Sequence, residues 1–178
     1  MTYRHAIAAG AILIAFAAAG CGGGSPSSNS SNGTTGTGAA GTTAAKGSVQ
    51  VSTATVKGLG EVLVDRRGRT LYMFAPDKHS SVTCAGACAT VWPPLRVPAS
   101  GSATAAGSAQ ASLLGSDPDP AGGRKVVTYA GWPLYTYAAD TGPGEANGQG
   151  VNANGGLWYV LSPAGKVIRT KASSGSGY

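Results

Sequence analysis

Cys84 and Cys88 are the residues best suited to carry chemistry, because they form a pair of thiols with three residues between them. The third cysteine of the chain, Cys21, lies far away near the N-terminus. An even pair of cysteines in an oxidising compartment usually forms a disulfide, so we predict a local Cys84–Cys88 bond that closes one small loop. The alternative is a metal or redox centre, in which His79 and Met73 would join the two thiolates around copper.

Other metal and catalytic sites fit these residues poorly. A structural zinc ion needs four ligands, and only three good candidates lie in this stretch of the chain. The C-x-x-C-H pattern of covalent haem and the C-x-x-C pattern of thioredoxin-like centres do not occur, nor do the hydrolase, metalloprotease, phosphate-binding and dinucleotide-binding motifs. The sequence therefore predicts a protein that is not an enzyme and has no cofactor.

Two aspartates close two similar segments, which read GRTLYMFAPD and GWPLYTYAAD and stand 63 residues apart. Both segments fit the pattern G-x-x-L-Y-x-(F/Y)-A-x-D. The motif residues are Tyr72, Phe74 and Asp77 in the first copy and Tyr135, Tyr137 and Asp140 in the second. A glycosidase would need its two carboxyl groups in unlike environments, whereas repeats supply equivalent ones. We therefore predict that each aspartate ends a strand and accepts hydrogen bonds from backbone N–H groups in the following turn.

The aromatic residues around these motifs have two interpretations. They could form a stacking surface for sugars or quinones, but such rings more often fill the core of a small β domain. Both aromatic residues of Y-x-(F/Y) lie on the same face of a strand, as one packed face requires. Trp132 lies in a turn before Pro133 and is the predicted ligand contact.

The elements that position these residues are short strands with turns between them. Strand-like runs around Gly68 and Gly131 predict one hairpin in each copy. We predict a mainly β fold, in which two tandem hairpin-based repeats form one small domain with a short helix near Cys84–Trp92. The predicted boundaries are 49–178 for the domain, about 58–98 for repeat one, 99–123 for a loop, about 124–163 for repeat two, and 164–178 for a C-terminal strand and tail.

The N-terminus has the pattern of a bacterial lipoprotein signal. An uncharged run of about fourteen residues follows Arg4 and is too short to span a bilayer, which takes roughly 20 apolar residues. Small residues then precede Cys21, although Ala18 stands where leucine is commonest. We predict a signal peptide over 1–20, lipidation at Cys21, and a tether rich in Gly, Ser and Thr over 21–48 that is too poor in apolar side chains to fold.

The distribution of charge excludes nucleic acids as partners. The formal net charge is +6, but the basic residues are scattered rather than gathered into the concentrated face that nucleic acids require. We expect the acylated Cys21 to bind membrane lipid, and we expect an envelope polymer or envelope protein as a further partner. The domain would then be exported and held outside the cytoplasm.

The two motif copies resemble Y-x-(F/W/Y)-x-x-D, the motif that names a family of predicted bacterial secreted-repeat lipoproteins. The similarity covers roughly residues 58–163 and includes CAGACA, WPP, GWPLY and GGLW. The resemblance implies a location outside the cytoplasm and a repeat architecture, but no reaction. We therefore expect a membrane-anchored binding or structural module of the cell envelope. The alternative is a redox or copper-handling accessory lipoprotein that uses Cys84, Cys88 and His79.

Overall fold

The computed structural model describes residues 48–77 and 81–171, all within one compact unit. It confirms a mainly β fold with one short α-helix in the described part of the chain. In chain order the elements are β1 (Ser48–Val56), β2 (Gly60–Asp65), β3 (Tyr72–Phe74), a 3-10 turn (Ala75–Asp77), α1 (Ala87–Val91), β4 (Arg96–Pro98), β5 (Ser102–Ala105), a 3-10 turn (Ala111–Leu113), β6 (Leu114–Pro118), β7 (Arg124–Tyr129), β8 (Trp132–Pro133), β9 (Asn152–Ala153) and β10 (Gly156–Val160).

The chain enters this unit through an antiparallel hairpin of β1 and β2. The register runs from Val51 opposite Asp65 to Val56 opposite Gly60. Gly58 in the connecting turn has a φ of 80°, a conformation that costs glycine nothing but strains other residues. Ser48 therefore lies at the open end of the hairpin, near Asp65, and the turn lies at the opposite end.

The two repeats exchange their last strands. The N–H of Leu63 in repeat one donates to the carbonyl of Leu161 in repeat two, at 3.1 Å. The equivalent N–H of Val127 in repeat two donates to Leu95 in repeat one, at 2.8 Å. Each hairpin is thus completed by the other copy, and the two repeats form one folded unit.

Strand β3 is buried on both faces, which divides the apolar residues into two cores. Tyr72 and Phe74 belong to the first core, with Trp92 and Trp158. Met73 points the other way, into a second core of aliphatic residues and Tyr129. This division follows from the alternation of side chains along a strand, and it places all the motif aromatics in the first core.

Two predicted element assignments need correction. The segment 99–123, predicted as a loop, contains β5, which pairs in parallel with β1, and β6, which pairs with β7. These strands consist mainly of small and polar residues, so they lack the apolar alternation that would have revealed them. In the predicted C-terminal segment 164–178, the described residues up to 171 contain no strand, and only an isolated bridge joins Leu161 to Val167.

Several predictions lie outside the described residues. They are the signal peptide over 1–20, lipidation at Cys21, the tether up to residue 47, and the position of His79. In the described ranges, no helix is both long and apolar enough to cross a membrane.

Candidate functional site

The motif tyrosines and aspartates pair across the two repeats. The hydroxyl of Tyr72 donates to Oδ2 of Asp140 at 2.6 Å, and the hydroxyl of Tyr135 donates to Oδ2 of Asp77 at 2.6 Å. The backbones of the two tyrosines also exchange hydrogen bonds, at 2.8 Å and 2.9 Å. The contacts are therefore reciprocal, as around an approximate twofold axis that passes between Tyr72 and Tyr135.

The other oxygen of each aspartate holds the loop that follows its motif. Oδ1 of Asp77 accepts the backbone N–H of Thr83 at 2.8 Å, and Oδ1 of Asp140 accepts that of Asn147 at 2.9 Å. The aspartates thus accept backbone hydrogen bonds, as the sequence predicts, but neither ends a strand, because Asp77 ends a 3-10 turn and Asp140 lies outside the strands. In the second loop the next N–H, that of Gly148, donates to the hydroxyl of Tyr72 at 3.3 Å. Each motif therefore fixes both its own loop and the opposite repeat.

Burial determines the protonation of this network. It raises the pKa of Tyr72 and of Tyr135 far above the ordinary value, and the aspartate that accepts each hydroxyl proton raises it further. Burial also raises the pKa of Asp140, while the hydrogen bond from Tyr72 opposes that shift. Both tyrosines are fully buried, so they remain neutral donors and do not reach a substrate.

Four aromatic rings stack through the first core. Phe74 stacks on Trp158 with ring centroids 4.1 Å apart, Trp158 stacks on Trp92 at 3.9 Å, and Trp92 stacks on Tyr137 at 4.1 Å. Phe74 and Tyr137 therefore each lie against the tryptophan of the other repeat. Both tryptophans are fully buried. The rings consequently form a core rather than a surface for sugars or quinones.

Comparison with known proteins agrees with this duplicated arrangement. A family model described as a secreted repeat of unknown function matches residues 52–96 and 119–162. The chain belongs to this secreted-repeat family. No curated protein and no solved structure matches it. Membership confirms the predicted resemblance and the repeat architecture, and it implies export.

In this secreted-repeat chain the predicted disulfide is present. Cys84 and Cys88 are joined, with their Cα atoms 5.3 Å apart, and Cys88 belongs to α1, which leads directly to Trp92. Closing so short a loop stabilises the fold by roughly 2 kcal/mol in the chain-entropy account. The bond fixes the chain directly after Thr83, whose N–H binds Asp77.

The alternative metal site is not assembled among the described residues. The two cysteines are oxidised, and Met73 lies in the second core whereas Cys84 lies in the first. His79 falls outside the described residues. No group of three or more histidine, cysteine or acidic residues in the described ranges is placed to hold a metal ion.

Trp132, the predicted ligand contact, lies in β8. It is half-buried and packs against the second core. Its position follows from the pairing of β8 with β7, in which Trp132 lies opposite Tyr129. The ring is therefore partly covered by the second core rather than presented whole to a ligand.

The hairpin turn predicted at Gly68 follows β2 and carries charged residues that were not predicted as a site. Oδ1 of Asp65 accepts the backbone N–H groups of Arg67 and Arg69, at 2.8 Å and 3.0 Å. Oδ2 of Asp65 accepts two N–H groups of the Arg69 guanidinium, at 2.9 Å and 2.7 Å. Gly68 supplies the φ of 77° that the turn needs. One carboxylate therefore rigidifies the whole turn, and D-R-R-G-R is the signal for this role of Asp65.

Proposed function

We propose that this secreted-repeat protein is a lipid-anchored module of the bacterial cell envelope, with a binding or structural role and no catalytic one. The lipidated residue in this proposal is Cys21, which follows an uncharged run and three small residues. Acyl chains on that cysteine would hold the exported domain at a membrane, and more than one chain is needed for stable anchoring. Membership of a secreted family supports the export step.

The observation that carries the non-catalytic role is the reciprocal bonding of the motif. The residues that repeat, Tyr72 with Asp140 and Tyr135 with Asp77, bond to each other in the core. Their carboxylates and hydroxyls already have partners, which supports a role in folding. Contact with an envelope polymer or an envelope protein then depends on the exposed surface.

The test is to express the full chain in a bacterium with an alkyne-labelled fatty acid and to separate membrane from soluble fractions. We expect the wild type to carry the label and to sediment with membranes. The variant Cys21→Ser should lose the label and appear in the soluble exported fraction.

The matched control removes the other two cysteines and keeps Cys21. Cys84→Ala with Cys88→Ala should still be labelled at the membrane, because acylation concerns Cys21 alone. Label that persists in Cys21→Ser, or an unlabelled and soluble wild type, would overturn the proposal.

A further inference from the structure

Two arginines on the turn after β2 are exposed and carry unpaired charge. Arg66 and Arg67 are both exposed, and neither side chain forms an ion pair with any residue of the described ranges. Arg69 differs, because the Asp65 carboxylate binds its guanidinium. The turn therefore presents two free positive charges on a backbone that Asp65 holds rigid.

The Arg66–Arg67 turn lies beside Ser48, where β1 begins. Ser48 begins β1 at the open end of the β1–β2 hairpin. Three residues later, Val51 pairs with Asp65, the residue directly before Arg66. A surface depression of about 340 Å³ extends from the start of β1 to the Arg66–Arg67 turn. Its lining is Ser48, Val49, Gln50, Asp65, Arg66, Arg67, Arg69 and Leu95. The first described residue, Ser48, thus lies on the same depression as the arginines.

We propose that the Arg66–Arg67 turn docks on the phosphate groups of anionic lipids in the membrane that holds the anchor. This inference rests on the proposed lipid anchoring, which tethers the domain to the bilayer through the chain that leads into Ser48. Guanidinium groups bind phosphate oxygens well. A rigid turn loses little conformational freedom on binding. Docking would orient the domain and turn its remaining surface away from the membrane.

The matching turn of repeat two argues for a dedicated role. It carries Ala130 and Gly131, which have no charge, and the turn at Pro163–Gly165 lies against it. The tyrosine before it, Tyr129, donates its hydroxyl to the carbonyl of Pro163 at 2.6 Å. Of the two matching turns, only the one beside the start of β1 therefore carries free charge, so this charge is not a property of the repeat.

The experiment uses the mature chain from residue 21 with Cys21→Ser, so that binding does not depend on acylation. Vesicles contain either equal parts of phosphatidylglycerol and phosphatidylcholine or phosphatidylcholine alone, and bound protein is measured by sedimentation. We expect binding to the anionic vesicles only, weakened by added salt. Each arginine near an anionic surface contributes about fivefold, so Arg66→Gln with Arg67→Gln should lower affinity about 30-fold.

Two controls separate local docking from net charge. Arg66→Lys with Arg67→Lys keeps both charges and should bind within a few-fold of the wild type. Lys57→Gln removes one exposed charge at the closed end of the same hairpin, roughly 17 Å along the strands from the Val51–Asp65 pair. This variant should bind about as well as the wild type, whereas the single variant Arg67→Gln should bind about fivefold more weakly.

Equal affinity of the wild type and the double glutamine variant would overturn the inference. So would a loss in Lys57→Gln as large as that in Arg67→Gln, because binding would then follow net charge alone. Near-ultraviolet circular dichroism checks that each variant is folded. The proposed function fails separately, when the acylated wild type does not remain on phosphatidylcholine vesicles.

Discussion

The two repeats are equivalent in the core and different at the surface. In the core, the tyrosine of each copy bonds to the aspartate of the other, and each tryptophan stacks on the aromatic residue of the other copy. At the surface, the first repeat has the Arg66–Arg67 turn, whereas the second has Ala130–Gly131. The equivalent part builds the fold, so function is better sought in the parts that differ.

The loops after the two motifs show the same contrast on a smaller scale. Cys84 and Gly148 occupy matching positions, since each follows the residue whose backbone N–H donates to the motif aspartate. The side chains differ, because Cys84 forms a disulfide, whereas a Cβ on Gly148 would come within 2.9 Å of Tyr72 and Trp92. Backbone geometry is thus common to both loops. A disulfide stabilises the first loop, whereas close packing of a glycine against two aromatic rings stabilises the second.

The largest effect is expected from the stacked tryptophans. Trp92→Ala and Trp158→Ala should each lower the free energy of unfolding by about 3–5 kcal/mol, because each removes a fully buried ring. Urea denaturation followed by circular dichroism measures both. The double variant should cost less than the two single losses added together, because the rings contact each other.

Val91→Ala is the matched control, since Val91 precedes Trp92 and is 43% exposed. Its effect should stay within about 0.5 kcal/mol. A loss below about 1 kcal/mol for either tryptophan variant would show that the two repeats do not share the core equally.

The next effect is expected from the reciprocal hydrogen bonds. Tyr72→Phe and Tyr135→Phe should each cost about 1–3 kcal/mol, because each leaves a buried carboxylate oxygen without its donor. A double-mutant cycle of Tyr72→Phe with Asp140→Asn should show a coupling energy above about 0.5 kcal/mol.

The cycle of Tyr72→Phe with Asp77→Asn is the control, because those residues belong to the same motif but to different bonded pairs. Its coupling should be the smaller of the two. The reverse order would contradict the exchange between repeats and would favour bonding within each motif.

The duplication, the hairpins, the disulfide and the short helix were predictable, because each leaves a local pattern in the sequence. The exchange of partners was not, since Tyr72 and Asp140 stand 68 residues apart and no local spacing reports their contact. Two general considerations favour such an exchange between the repeats. A buried tyrosine hydroxyl needs an acceptor, and two equal copies satisfy that need symmetrically.

The strands between the repeats were missed for a different reason. Segments β5 and β6 are held by backbone pairing with β1 and β7 rather than by apolar side chains. Pairing with strands from elsewhere in the chain overrides a weak local preference for the extended conformation. Composition alone therefore predicted a loop.

The smallest effect is expected where the repeats join. Arg96 is the last residue of the first family match and Asp119 the first of the second, and the Arg96 guanidinium binds the buried Asp119 carboxylate. That hydrogen bond is the main reason why the pKa of Asp119 lies below its usual value of 3.8. The pair therefore bridges the two ends of the 97–118 insertion.

Arg96→Gln should lower the free energy of unfolding by about 1 kcal/mol near neutral pH. Because the pKa of Asp119 is lowered in the folded state, its stabilising contribution is present above pH 3.8 and is lost as the pH falls through the lower folded value. The difference between the wild type and Arg96→Gln should consequently shrink as the pH drops below 3.8. Urea denaturation at a series of pH values measures this. Lys125→Gln, an exposed change on β7, should show no such convergence, and a gap for Arg96→Gln that stays constant in acid would rule out the ion pair as its cause.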